Sequence, residues 1–198
     1  MKTIIPADLL QLRYQTPQSW VDMVLGDFTA FLNDHAQAEK KASGMAMSML
    51  SHYPDKPELV KAMIDLCIEE LAHFREVIKL MQLQGLTLGS DEKDPYVNAF
   101  RQHMRNGTAL YLLDRLLIAA IIEARGCERF GLIGQYHSDP ELKKFYQLIA
   151  DSEAKHHMLF IDLATLYFDT AIVEERLDEL LDAEATIAKQ LPIRAALH

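Results

Sequence analysis

The segments "EELAHFREV", residues 69–77, and "DSEAKHHML", residues 151–159, each set a glutamate three positions before a histidine: Glu70 with His73, and Glu153 with His156. On an α-helix such positions share a face, so both side chains of a pair can point at one object. At nearly the same distance upstream of each pair stands a further glutamate, Glu39 in "HAQAEKKAS" and Glu123 in "AAIIEARGC". The order Glu, Glu-x-x-His is therefore doubled. A chain that sets four carboxylates among core positions must compensate them, because a buried, unpaired charge is strongly unfavourable even after relaxation. Two divalent cations would do so, with the carboxylates balancing their charge and two neutral imidazoles completing the ligands. The fold is thereby restricted to one that brings the middles of four helices together.

Proline and glycine cut the rest of the sequence into long segments of helical period with almost no strand-like alternation. "TPQSW" offers Thr16 as an N-cap and opens a segment towards Tyr53, with Gly26 and Gly44 as places for a break. A second helix is expected from Pro57 to the glycine signal at Gly85, and a short one from Pro95 to Arg105. Thr108 can cap a third long helix to about His137, and Asp139 with Pro140 starts a fourth that reaches about Phe168. A last amphipathic helix over Ala171–Gln190 closes the chain. Four long helices with a polar crossover, "GSDEKDPYV", between the second and third predict an all-α, ferritin-like four-helix bundle with additional short helices. No linker interrupts residues 1–198, so a single domain is expected.

Composition narrows the chemistry. Cys67 and Cys127 are the two cysteines and form no C-x-x-C, which disfavours a disulfide framework, a zinc ribbon and a rubredoxin-type iron centre. Neither a signal peptide nor a membrane-length apolar run is visible, so a cytoplasmic protein with no membrane partner is expected. The net charge of −9 disfavours a general nucleic-acid binder, although two internal divalent cations would offset part of it. Mixed carboxylate and imidazole donors without thiolates favour iron or manganese. The expected metal ligands are thus Glu39, Glu70, His73, Glu123, Glu153 and His156 around two iron ions, with Glu70 and Glu153 in the bridging positions.

Other residues carry weaker signals. His157 is rotated off the ligand face, and Glu69 and Glu128 read as solvated. His35, one turn before Glu39, could bond a ligand from outside, though a satisfied core histidine is the simpler reading. Ser43 and Cys127, one turn after Glu39 and Glu123, could line the site, with plain packing the simpler reading.

A dinuclear iron site with open positions can use O2 against a C–H bond, and the same site serves iron storage and peroxide reduction. An iron-handling or peroxide-reducing oxidase that acts on no nucleic acid is accordingly the alternative function. The stretches "HAQAEKKASGMAMSMLSHYPDKPELVKAMIDLCIEELAHFREV", "LLIAAIIEARGCERFGLI" and "IADSEAKHHMLF" resemble the MiaE family, the tRNA-(2-methylthio-N6-isopentenyladenosine) hydroxylases, and the likeness keeps all six ligand positions. The resemblance implies a tRNA-modifying, non-haem di-iron monooxygenase that uses O2 and two electrons to hydroxylate the isopentenyl group beside the anticodon. A tRNA substrate is compatible with an acidic chain when one splayed loop base enters a pocket beside a local basic patch. Arg101 and Arg105, then His103, Arg115, Lys40, Lys41, Arg125 and Arg129, are the candidates for that patch. With neither a dinucleotide fingerprint nor a cysteine cluster in the sequence, a separate electron donor, a reductase or ferredoxin, is expected.

Overall fold

The computed structural model describes residues 11–198, and among them there are seven helices and no strand. The helices are α1 (Gln18–Gly26), α2 (Phe28–His52), α3 (Pro57–Leu83), α4 (Pro95–Arg101), α5 (Thr108–Tyr136), α6 (Pro140–Tyr167) and α7 (Thr170–Gln190). They fall into two compact units. One comprises Ser19–Lys93 with Arg194–Leu197; the other holds residues 11–18, Asp94–Ile193 and His198.

In the first unit α2 and α3 form an antiparallel hairpin about the short turn at Tyr53–Lys56. Its pairing shows in the Ser43 hydroxyl donating to the Cys67 carbonyl at 3.0 Å near mid-helix, and in Gln37 Nε2 donating to the Gly89 carbonyl at 2.9 Å at the open end. The break between α1 and α2 falls at Asp27, whose carboxylate caps the Ala30 amide, while α2 runs straight through Gly44. The α3 helix ends in a Schellman motif: Leu86 N donates to the Met81 carbonyl and Gly85 N to that of Gln82, as the glycine signal predicted. Phe31, Leu32, Ala36, Met49, Leu59, Met63, Leu66 and Val77 are buried here. The segment 194–197 lies against the hairpin's start, where the Trp20 indole donates to the Ala196 carbonyl and the Leu197 amide to Asp34.

In the second unit α5 and α6 form another hairpin. They approach so closely at Gly134 that a Cβ there would lie 3.2 Å from Gln147 N and 3.3 Å from the Lys143 carbonyl oxygen. Helices α4, α6 and α7 start on aspartate caps, Asp94, Asp139 and Asp169, with proline in the first turn of α4 and α6. The start of α5 corrects the expectation: the cap is Gly107, at φ 98°, a backbone region that suits glycine, and Thr108 is already helical. Thr16 is also no cap. Its amide and hydroxyl both donate to the Glu128 carboxylate, at 2.9 and 2.8 Å.

That contact belongs to a buried ion network. Arg125, fully buried, donates through Nε and Nη2 to the two oxygens of Glu184 at 2.8 and 3.0 Å, through Nη2 to the Tyr14 carbonyl at 2.7 Å, and through Nη1 to Thr16 and Glu128. The Tyr96 hydroxyl adds a bond to Glu184 at 3.0 Å. One guanidinium thus ties α5, α7 and the segment before α1 together, with its charge paired and its donors used.

Candidate metal centre

Each unit contributes one buried glutamate from the first helix of its hairpin and a Glu-x-x-His from the second. In α2 and α3, Glu39, Glu70 and His73 each present a ligand atom, and these atoms lie within 4.8 Å of one another. The His73 Nδ1 stands 3.4 Å from Glu70 Oε2 and 3.6 Å from Glu39 Oε2. In α5 and α6, ligand atoms of Glu123, Glu153 and His156 also lie within 4.8 Å of one another, and His156 Nδ1 is 3.2 Å from Glu153 Oε2. The two halves therefore repeat in space what they repeat in sequence. In both, helical spacing turns the Nδ1 edge of the imidazole towards its own glutamate.

Electrostatics make each group costly without a cation. Burial would push the Glu39 carboxyl up, but hydrogen bonds from His35 and His73 more than reverse this and hold it well below the usual carboxylate range. Burial pulls His73 down, yet Glu39 and Glu70 push it up to about 10. The imidazolium so formed supplies part of the positive charge that a metal would bring. Oxygen and imidazole donors with ligand atoms within 4.8 Å of one another in each triad are compatible with a divalent-metal site.

The remaining predicted residues separate cleanly. His35, fully buried, donates from Nε2 to Glu39 Oε1 at 2.6 Å. Ser43 is engaged with Cys67, its hydroxyl 3.1 Å from the thiol sulfur as well as bonded to the carbonyl. Cys127 is half-buried, and burial, followed by Asp151 and Glu128, pushes its thiol up. His157 is half-buried, with its pKa lowered by burial and by His156. Glu69 is exposed, as expected, whereas Glu128 is not a solvated residue but a partner of Thr16 and Arg125.

Among the basic candidates Arg101 is exposed at the end of α4, and His103 is exposed with its ring edge-on to Phe100. Arg115 sits 5.8 Å from the Tyr111 ring centroid. The Arg105 guanidinium clasps both oxygens of buried Asp114, at 3.0 and 2.8 Å. Lys40 and Lys41 both reach Asp91. Arg125 and Arg129 are corrections. Both are buried and bonded to Thr16, so neither presents its charge to a macromolecule. Their burial depends on partners remote in sequence, which no local pattern announces.

The sequence profile of the tRNA-(MS2IO6A)-hydroxylase (MiaE) family matches residues 3–198. The chain belongs to the MiaE family. Among MiaE relatives, a Pseudomonas putida protein named tRNA 2-(methylsulfanyl)-N(6)-isopentenyladenosine(37) hydroxylase is 34% identical over 182 residues, 92% of this chain and 88% of its own. A Salmonella typhimurium protein of the same name is 30% identical over 173 residues, 83% of this chain and 63% of its own length. A solved structure, protein 43 with aldehyde deformylating oxygenase activity from Synechococcus, superposes with a TM-score of 0.89 at 33% identity, covering 93% of this chain and 92% of that one. The fold is accordingly all-α and ferritin-like. Among the described residues, no helix is long and apolar enough to cross a membrane.

Proposed function

We propose that this protein hydroxylates the isopentenyl group of 2-methylthio-N6-isopentenyladenosine next to the anticodon of tRNA, using O2 and two electrons. The observation that carries the proposal is the pair of triads, Glu39, Glu70, His73 and Glu123, Glu153, His156, buried except for the half-buried His73, in a chain of the MiaE family. In this reading the chain is a single ferritin-like domain whose six side chains would hold two iron ions. Glu39, Glu70, Glu123 and Glu153 would supply carboxylate ligands, and His73 and His156, each with Nδ1 turned towards its own glutamate, would supply imidazole ligands. Bound there, the iron pair supplies O2 reduction and an oxidant strong enough to attack an allylic C–H bond.

The chain's own part is to bind, to exclude water and to hold protons in place. Ala119, Ala120, Ile121 and Ala124, all buried around Glu123, form an aliphatic wall that limits water beside the carboxylates. Against the pull of burial, Glu39 and Glu70 push the His73 pKa up to about 10, so His73 would have to give up a proton for its lone pair to serve as a ligand, with the ion's charge taking the place of the proton's. Electrons come from a separate reductase or ferredoxin, because the chain's two cysteines, 60 positions apart in sequence, cannot make a relay cluster of their own. A tRNA substrate sets the reaction in the cytoplasm. Arg101, exposed at the end of α4, is the proposed phosphate contact, and Arg105 holds the adjoining loop to Asp114 while exposing a third of its side chain.

The test is joint loss. Glu70→Ala and His156→Ala are each assayed for bound iron after desalting and for hydroxylation of modified tRNA. Both quantities should fall together; hydroxylation that persists in an iron-depleted variant would refute the proposal.

A further inference from the structure

The family reading uses six ligands and leaves His35 without a task. Yet His35 is completely buried in α2, one turn before Glu39, and its Nε2–H donates to Glu39 Oε1 at 2.6 Å. The ring is also packed against Phe31, at 5.9 Å between centroids, which restricts its rotation. One oxygen of Glu39 is thus committed to a donor on its own helix. The other, Oε2, is turned towards His73 Nδ1 at 3.6 Å, the direction in which a shared ion would sit.

The repeat does not keep this residue. The residue one helical turn before Glu123 is Ala119, buried but with a methyl group that donates no hydrogen bond. The two halves therefore match in their ligands and differ in what stands directly behind Glu39 and Glu123.

We propose that His35 is a positioning residue that holds Glu39 as a one-oxygen ligand through Oε2 and so makes the metal bound by Glu39 and His73 distinct from the metal bound by Glu123 and His156. The inference rests on the dinuclear reading of the preceding subsection. A buried donor on a carboxylate ligand fixes its rotamer, removes the option of chelating through both oxygens and lowers the entropy lost on binding. Such outer partners typically change metal affinity by about 10- to 100-fold when removed.

Cobalt(II) titration of the metal-free protein, followed by visible absorption, separates the outcomes. The wild type should take up two ions in two resolvable steps. His35→Leu, which keeps an apolar body of similar size, should weaken one step by about 10- to 100-fold and leave the other within about threefold. It should also alter the ligand-field bands of the weakened ion only. His35→Gln, which retains an N–H donor one turn from Glu39, should restore most of the lost affinity. Unchanged binding in His35→Leu would overturn the proposal. So would a loss that hits both steps equally, follows a fall in the unfolding temperature of the metal-free protein and is not rescued by glutamine, because that pattern marks simple packing. Fewer than two ions on the wild-type protein would overturn the dinuclear reading itself, a result distinguishable from failure of the His35 assignment.

Discussion

Glu39 and His73 show how a buried carboxylate and imidazole settle each other in the absence of a cation. The carboxylate stays ionised because His35 and His73 donate to it, and His73 stays protonated because two carboxylates face it. The second triad has the same make-up, so on the proposed dinuclear reading Glu153→Ala, which removes a carboxylate donor, should lose at least one of the two proposed iron ions per chain, read by metal analysis after desalting. Retention of both would contradict the ligand assignment. A second residue-scale prediction concerns Asp94, which caps α4 and bonds His198 Nδ1 at 3.0 Å, with the His198 ring stacked on Tyr96. Burial would raise the Asp94 carboxyl, but the charge and hydrogen bond of His198, with the Val97 and Tyr96 amides, bring it down to about 2 from 3.8. Its folded pKa is depressed, so its contribution is present above the unfolded value and is lost as pH falls from about 4 through about 2. The difference is worth ~2 kcal/mol at neutral pH. Asp94→Asn keeps a competent cap and removes the charge. Denaturant unfolding at several pH values should show it less stable by about that amount at pH 7, with a flatter loss of stability between about pH 4 and 2. An unchanged acid profile would sink the idea.

At the scale of elements, α5 carries an internal comparison. Gly131 has open space where a Cβ would stand, whereas at Gly134 a Cβ would meet backbone atoms of α6 that no side-chain rotation can move. Gly131→Ala should therefore stabilise by about 0.5–1 kcal/mol through helix propensity and a less flexible unfolded chain. Gly134→Ala should destabilise by about 1–3 kcal/mol through forced separation of the hairpin. Equal effects in urea unfolding would show that the close approach does not matter. Helices were legible because their signals are local: the prolines at 57, 95 and 140 and the aspartate cap at 139 fall within a residue or two of the boundaries. The grouping of Glu39, Glu70 and His73, and of Glu123, Glu153 and His156, was legible for a related reason, since a repeat of glutamates and histidines at helical spacing needs no knowledge of packing. What escaped was long-range. Arg125 reads as a surface base until Glu184, 59 residues away, and the Tyr14 carbonyl, 111 residues away, are brought to it. Thr16 reads as a cap until Glu128 takes its amide. The break beside Gly26 was legible, whereas Gly44, the other place expected for one, lies inside the continuous α2.

For the whole molecule the question is how a chain of net charge −9 engages a polyanion. Binding must rest on few phosphate contacts, so its salt dependence should be shallow beside that of a basic nucleic-acid binder. Arg101 is the clean residue to vary, because charge reversal at Arg105 would also break its clasp on Asp114 and disturb the α4–α5 connection. Arg101→Glu should weaken tRNA binding uniformly and reduce the slope of log affinity against log salt by about one, measured by filter binding at several salt concentrations. An unchanged slope would remove Arg101 from the interface. The central claim is chemical, however, and nucleoside mass spectrometry reaches it directly. tRNA carrying 2-methylthio-N6-isopentenyladenosine is incubated with iron-loaded protein, O2 and a chemical reductant, then digested and analysed. The modified nucleoside should gain one oxygen atom, and the gain should disappear without iron or O2. An unaltered nucleoside beside an intact, oxygen-reactive metal site would contradict it.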